Sequence, residues 1–218
     1  MKNIFNYRNC KVTSDNAFFD EIYPLPKQLI DKTPNLQSLA ESKDLQNVNL
    51  LLKYIKDYPD NAALKFLLVQ LYDNIGETIK ADNLNETIIK IFPDHLNAKL
   101  RKTLGYIKEL KLDKARAVLG SSLEITEVLP NRDIFYIDEV FVFDLYVIDY
   151  YIVNDQLDEA RERFRQMKKV NFPSEHLKKA EDAIKKYENL KAFFDKKIRI
   201  PKFNNPQVKN LYYYDTHI

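Results

Sequence analysis

The sequence predicts an all-α protein built as an array of helix hairpins, and three observations carry that expectation. Short motifs recur at a fixed interval. Tyr58-Pro59-Asp60-Asn61-Ala62 returns in kind as Phe92-Pro93-Asp94-His95-Leu96, so the two prolines stand 34 positions apart, as do Tyr72 and Tyr106, and Ala81 and Ala115. Apolar residues fall at the i, i+3, i+4, i+7 spacing of a helix with one buried face, while no stretch alternates at period two over a strand's length. Glycine is limited to Gly76, Gly105 and Gly120 among 218 residues, fewer than sheets and long loops ordinarily use for their turns.

In chain order, residues 1–34 hold Pro24, Pro26 and Pro34 and no sustained helical pattern, so an irregular segment is expected there. A degenerate hairpin follows over Leu36 to Tyr58. The first clear hairpin pairs Leu64, Leu67, Leu68, Leu71, Tyr72 and Ile75 with Ala81, Leu84, Ile88 and Ile91. Gly76 comes at the bend between the two, where only glycine adopts a left-handed conformation cheaply. The next hairpin pairs Leu100, Leu104, Ile107 and Leu110 with Ala115, Val118 and Leu119.

A third copy is out of phase. Leu112-Asp113-Lys114-Ala115-Arg116 matches Leu157-Asp158-Glu159-Ala160-Arg161, and Tyr151 precedes Ala160 as Tyr106 precedes Ala115. The extra residues, about eleven against the repeat period, are assigned to Ser121–Asp133 as a longer second helix or an enlarged loop. Ile134 to Val153 is the most apolar stretch. Asp138, Glu139, Asp144 and Asp149 interrupt it, so it is expected to be a buried helix rather than a membrane span. Ser174 to Lys197 is expected to be a capping helix with Ser174 at its start. The tail 198–218, with Tyr212-Tyr213-Tyr214, is expected to fold back onto the helices, because clustered exposed rings are costly in water, the alternative being an exposed segment for a partner.

Each recurring residue has a physical task. Ala81, Ala115 and Ala160 leave room for two helices to approach. Pro59, Pro93, Pro130 and Pro173 follow an aromatic residue or leucine and are expected to end the preceding helix.

On these residues, 62–173 resembles the tetratricopeptide repeats, with the degenerate unit extending the likeness back to about residue 36. The resemblance implies a right-handed α-α superhelix over 35–197, flanked by the segment 1–34 and the tail 198–218. This chain departs from the family pattern at Lys65, Lys99 and Asp144, where a bulky residue is usual, and at Val69 and Ile148, where a small one is. The resemblance also implies a groove lined by the first helix of each pair. Its candidate residues are Phe66, Gln70 and Asp73, then Lys99, Lys102 and Tyr106, then Val142, Leu145 and Asp149. The implied partner is another protein, bound as an extended peptide or a helix. The family's lysine–asparagine clamp for acidic peptide carboxyl termini is not reproduced, since Lys65 is followed four residues later by Val69 and Lys99 by Thr103.

The charge balance, 34 basic against 32 acidic side chains, supplies no general attraction to nucleic acid or to a membrane surface. A local alternative is nucleic-acid binding through the late lysines, among them Lys178, Lys179, Lys185, Lys186, Lys191 and Lys209. Glu175, Glu181, Asp182 and Glu188 interleave with them as on a solvated helix face. Cys10 has no CxxC partner, and His95, His176 and His217 have no second ligand at helical spacing, so neither a metal, a cofactor nor an enzyme site is expected. Asp138 and Asp149, eleven positions apart on one helix, lie roughly 16 Å from each other and are too distant to act as a catalytic pair. They are expected to line the solvent-facing groove or to pair with lysines. With no apolar core of a secretion signal near Met1, the cytoplasm is the expected location.

Overall fold

The computed structural model describes residues 4–32 and 36–197. In chain order the elements are β1 (Ile4–Tyr7), β2 (Cys10–Thr13), α1 (Asn16–Ile22), α2 (Lys27–Lys32), α3 (Leu36–Glu41), α4 (Gln46–Asp57), α5 (Ala62–Asn74) and α6 (Thr78–Ile91). There follow α7 (Leu96–Lys108), α8 (Leu112–Leu119), α9 (Ile125–Val128), β3 (Ile134–Tyr136), α10 (Ile137–Val153), α11 (Leu157–Lys169) and α12 (Glu175–Lys197). The chain is mostly helical, in keeping with an all-α fold class, with one small sheet. It divides into two compact units. One is continuous, Asp15–Lys102; the other is split, joining Met1–Ser14 to Thr103–Ile218, so the boundary falls within α7.

The sheet is the main departure from expectation. Where an irregular segment is expected, β1 and β2 form an antiparallel hairpin with Ile4 opposite Thr13 and Tyr7 opposite Cys10, and α1 and α2 follow. β2 then pairs in parallel with β3, Val12 opposite Phe135. Strands of three and four residues are too short for alternation to mark them in the sequence.

Three hairpin turns repeat in atomic detail. The carbonyl of Tyr72 accepts from the N–H of Glu77, that of Tyr106 from Lys111 and that of Tyr151 from Gln156, each at 2.8 Å. One residue before each donor the backbone is left-handed, at Gly76 (φ 80°), Leu110 (φ 57°) and Asp155 (φ 58°). This six-to-one bond with a left-handed residue is the Schellman ending of a helix, and it starts the return helix at once. Five residues beyond each left-handed position stands Ala81, Ala115 or Ala160, all fully buried. Only the first of the three turns uses glycine.

The opposite junctions repeat as well. Tyr58, Phe92 and Leu129 each end a helix with φ near −130° and ψ near 70° and each precede a proline, whose ring bars the helical conformation from its neighbour. Tyr23 before Pro24 does the same at the end of α1. Pro173 does not: α11 already stops at Lys169, and a left-handed Asn171 (φ 52°) precedes Phe172. After these turns Asn61 and His95 occupy the same capping place. The Asn61 side chain accepts from the N–H of Leu64 at 2.9 Å, and His95 Nδ1 accepts from that of Ala98 at 3.2 Å.

In the continuous unit, α5 packs on α3, α4 and α6 around Leu51, Leu64, Leu68 and Leu71, with Leu29 of α2 closing that core. In the split unit, α10 packs on α11 and α12 and buries Phe141, Phe143, Val147, Ile148 and Ile152, while Val12 and Phe135 of the sheet are fully buried. The extra residues of Ser121–Asp133 form a loop containing the single turn α9, not a longer helix. Ser174 caps α12 as expected, accepting from the His176 N–H at 3.2 Å while its hydroxyl donates to Asp138 Oδ1 at 2.6 Å. Among the described residues no helix is long and apolar enough to cross a membrane. The tail 198–218 lies outside the described residues.

A Cβ on Gly76 meets no atom within 4 Å, so the cost of Gly76→Ala is one of backbone conformation alone. That substitution is expected to destabilise the protein by about 1 kcal/mol, read from urea unfolding midpoints, with the far-ultraviolet circular dichroism unchanged.

Candidate functional site

The repeated turns fix which positions are equivalent. Counting back from Tyr72, Tyr106 and Tyr151, Phe66 corresponds to Leu100 and Leu145, Gln70 to Leu104 and Asp149, and Ala63 to Asn97 and Val142. Phe66 and Gln70 on α5 and Val142 and Leu145 on α10 therefore occupy equivalent faces of their own helices. Lys99, Lys102 and Tyr106 correspond instead to Lys65, Leu68 and Tyr72 and stand on another face of α7. The α7 residues equivalent to the first set are Asn97, Leu100 and Leu104, of which Leu100 is buried.

In the continuous unit that face borders an apolar cleft of about 190 Å3, with Ala63, Phe66, Gln70 and Asn97 on its walls and Phe19 and Tyr23 of the amino-terminal segment on another side. His95 is buried between two rings, its centroid 5.0 Å from Phe66 and 5.6 Å from Tyr23. The remaining candidates here are tied into the scaffold. Asp73 receives both Nε and Nη2 of Arg101 at 2.7 Å, a bidentate pair, and Arg101 Nη1 reaches Asp82 at 2.8 Å. Arg101 thus joins α5, α6 and α7. Lys102 pairs with Glu86 of α6 at 2.8 Å, and partial burial lowers the basicity of Lys99.

In the split unit, Tyr106, Val142 and Leu145 are half-buried, but Asp149 is 5% exposed and does not line a solvent-facing groove. Among the described residues it has no hydrogen-bond or ionic partner, and burial pushes its carboxyl from the ordinary 3.8 up to about 7. Asp138, the other acid of that pair, bonds Ser174 and lies 3.5 Å from His176 Nε2. Burial raises the Asp138 carboxyl, but its bonds to His176 and Ser174 outweigh that and hold it below its ordinary range.

Sequence reasoning missed the densest charge cluster, which lies in the same unit. The fully buried Asp144 accepts from the Tyr7 hydroxyl at 2.5 Å and faces Arg163 Nη1 at 3.4 Å. Arg163, itself 2% exposed, donates to the Leu123 carbonyl and lies 3.5 Å from Glu124. Arg8 donates to Glu124 through Nε at 3.2 Å and through Nη2, and to Gln166 through Nη1. Burial raises the Asp144 carboxyl, with Arg163 and Tyr7 opposing. Burial and the Asp144 charge push the Tyr7 phenol upward, so it remains a donor. Cys10, expected in a loop, is buried in β2. Its Sγ donates to the Tyr7 carbonyl at 3.2 Å, and burial raises the thiol to about 12, far from a reactive thiolate. The bonds from Tyr7 to Asp144 and from Arg8 to Gln166 pin the β1–β2 hairpin to α10 and α11.

The lysine-bearing face of α12 is laced with acids. Lys179 pairs with Glu175 and Lys185 with Glu181 at i, i+4 spacing, and Lys191 reaches Asp155. No protein-family model, curated protein or solved structure matches the chain.

Removing Arg163 leaves Asp144 buried beside a single phenol. Arg163→Ala is expected to cost about 3 kcal/mol or more in urea unfolding, and the Arg163→Ala/Asp144→Asn double variant less than the sum of its parts. Asp149 carries the opposite sign to most acids. Because its native carboxyl holds a proton more tightly than the unfolded chain, stability falls as pH rises from 3.8 to about 7 and then levels. Asp149→Asn is expected to raise the unfolding midpoint more at about pH 8 than at about pH 4, measured by denaturant titration at both.

Proposed function

We propose that this chain is a helical repeat protein of the tetratricopeptide kind, wound as a right-handed α-α superhelix, acting without catalysis as a scaffold for another protein. The observation that carries this reading is the threefold turn: tyrosine carbonyl, left-handed residue and buried alanine at the same offsets in α5–α6, α7–α8 and α10–α11. A unit copied three times makes a laterally extended surface, which suits a peptide or helix better than a small substrate. The face bearing Phe66 and Gln70 is the recognition surface, and its apolar cleft accepts a side chain of the bound segment. Val142 and Leu145 are its counterparts in the split unit, while Asp73 and Lys102, already paired, position the helices. The cytoplasm is the setting that goes with this reading.

Site-specific photo-crosslinking tests it. A benzophenone side chain replacing Gln70 is expected to capture a discrete partner from native-host extract, whereas the same group replacing Ile79, 78% exposed on α6, is not. Equal labelling from both positions overturns the assignment of the face.

A further inference from the structure

We propose that the free edge of β1 is a docking site for an extended acidic peptide, which adds as a further strand to the sheet. The site lies wholly within the split unit and uses none of the residues around Phe66.

Among the described residues the sheet order β1-β2-β3 leaves β1 at an edge. The two-residue turn Arg8–Asn9 makes Tyr7 and Cys10 the closing pair of the hairpin, and such a pair exchanges its backbone bonds within the ladder. Alternation then turns the N–H and C=O of Phe5 toward β2 and those of Ile4 and Asn6 outward. By the same alternation Lys11 and Thr13, which face Asn6 and Ile4, are turned toward β3, the strand that pairs on that side of β2. An open edge with two outward peptide groups is a template for strand addition.

The space beside this edge is present. A cleft of about 560 Å3 is bordered by five consecutive residues, Phe5 to Asn9, and across from them by Gln166, Lys169 and Val170 at the end of α11. Phe5, Asn6 and Tyr7 of β1 and the turn Arg8–Asn9 thus form one wall. Its charged lining residues are Arg8 and Lys169, with no acid. A second cleft of about 390 Å3 on the other side of the turn carries Arg8, Lys11 and Arg132 against the single acid Asp133. Arg8 and Arg132 are occupied by Glu124 and Glu139. Lys11 and Lys169 are exposed and make no ion pair among the described residues, so the unspent charge beside the edge is positive. Main-chain bonds to Ile4 and Asn6 would hold the strand, and carboxylates against Lys169 and Lys11 would select an acidic one. The buried Tyr7–Asp144 and Arg8–Glu124 contacts keep the edge rigid, which reduces the ordering cost of adding a strand.

The probe is a fluorescein-labelled synthetic peptide of roughly eight residues alternating valine with glutamate, its counterpart alternating valine with lysine, and the full chain as receptor. Anisotropy titration is expected to show binding of the glutamate peptide only, weakened by added salt. The exposed Lys169→Glu variant is expected to lose roughly fivefold in affinity. Asn6→Pro removes one outward donor without breaking the β2 ladder and is expected to abolish binding, with its melting temperature checked against the parent. Hydrogen exchange with the peptide bound is expected to slow at the Ile4 and Asn6 amides. Equal binding of the two peptides, no binding of the glutamate peptide, or unchanged exchange at both amides overturns the proposal.

Discussion

A helix hairpin of about two dozen residues has too little apolar surface to be stable by itself, and the structure follows from that constraint. A pair gains stability by bringing its helices close, as α5 does with α6 and α10 with α11. Close approach requires the methyl side chain of Ala81, Ala115 or Ala160, each fully buried. It also requires a turn short enough to start the second helix at once. The bond from the residue five ahead to the tyrosine carbonyl makes that turn, and the left-handed residue inside it is accepted even when it is Leu110 or Asp155. The local strain at those two residues is tolerated because the packing on both sides fixes the backbone.

The second constraint is electrostatic and confined to the split unit. An acid on the most apolar helix is tolerable only when something answers it, and Asp144 is answered by Arg163 and by Tyr7 from the far end of the sequence. That arrangement gives β1 and β2 their place in the split unit. Tyr7 and Arg8 must reach α10, Glu124 and Gln166, and an extended hairpin paired to β3 delivers them there. Asp149 has no such answer among the described residues; burial raises both carboxyls, but only at Asp144 do a guanidinium and a phenol oppose it.

The helices and their turns were legible because the forces that make them act within a few residues. The 34-residue interval marked equivalent tyrosines, alanines and prolines, and even the replacement of Asn61 by His95 at a helix start could be read from it. The amino-terminal strands were not legible, since four residues are too few for a period-two pattern, and neither was the boundary inside α7. The candidate residues fall at more than one helical position. Phe66 and Gln70 border a cleft, and Val142 and Leu145 are their counterparts, but Lys99, Lys102 and Tyr106 were taken from a different helical face. The spacing of the markers already contained that register; it needed only to be counted from the tyrosines.

Taken by itself, the sequence determined the helix hairpins, their bends and the small residues at their close approaches, because propensity, capping and proline sterics operate locally. Tertiary structure alone decided that Tyr7 meets Asp144, that Arg101 gathers Asp73 and Asp82, and that the β1–β2 hairpin belongs to one compact unit with α10, α11 and α12. Those pairings join residues 137, 28 and 19 positions apart. No periodicity encodes them, for they are set by which charges remain to be neutralised once the helices have packed.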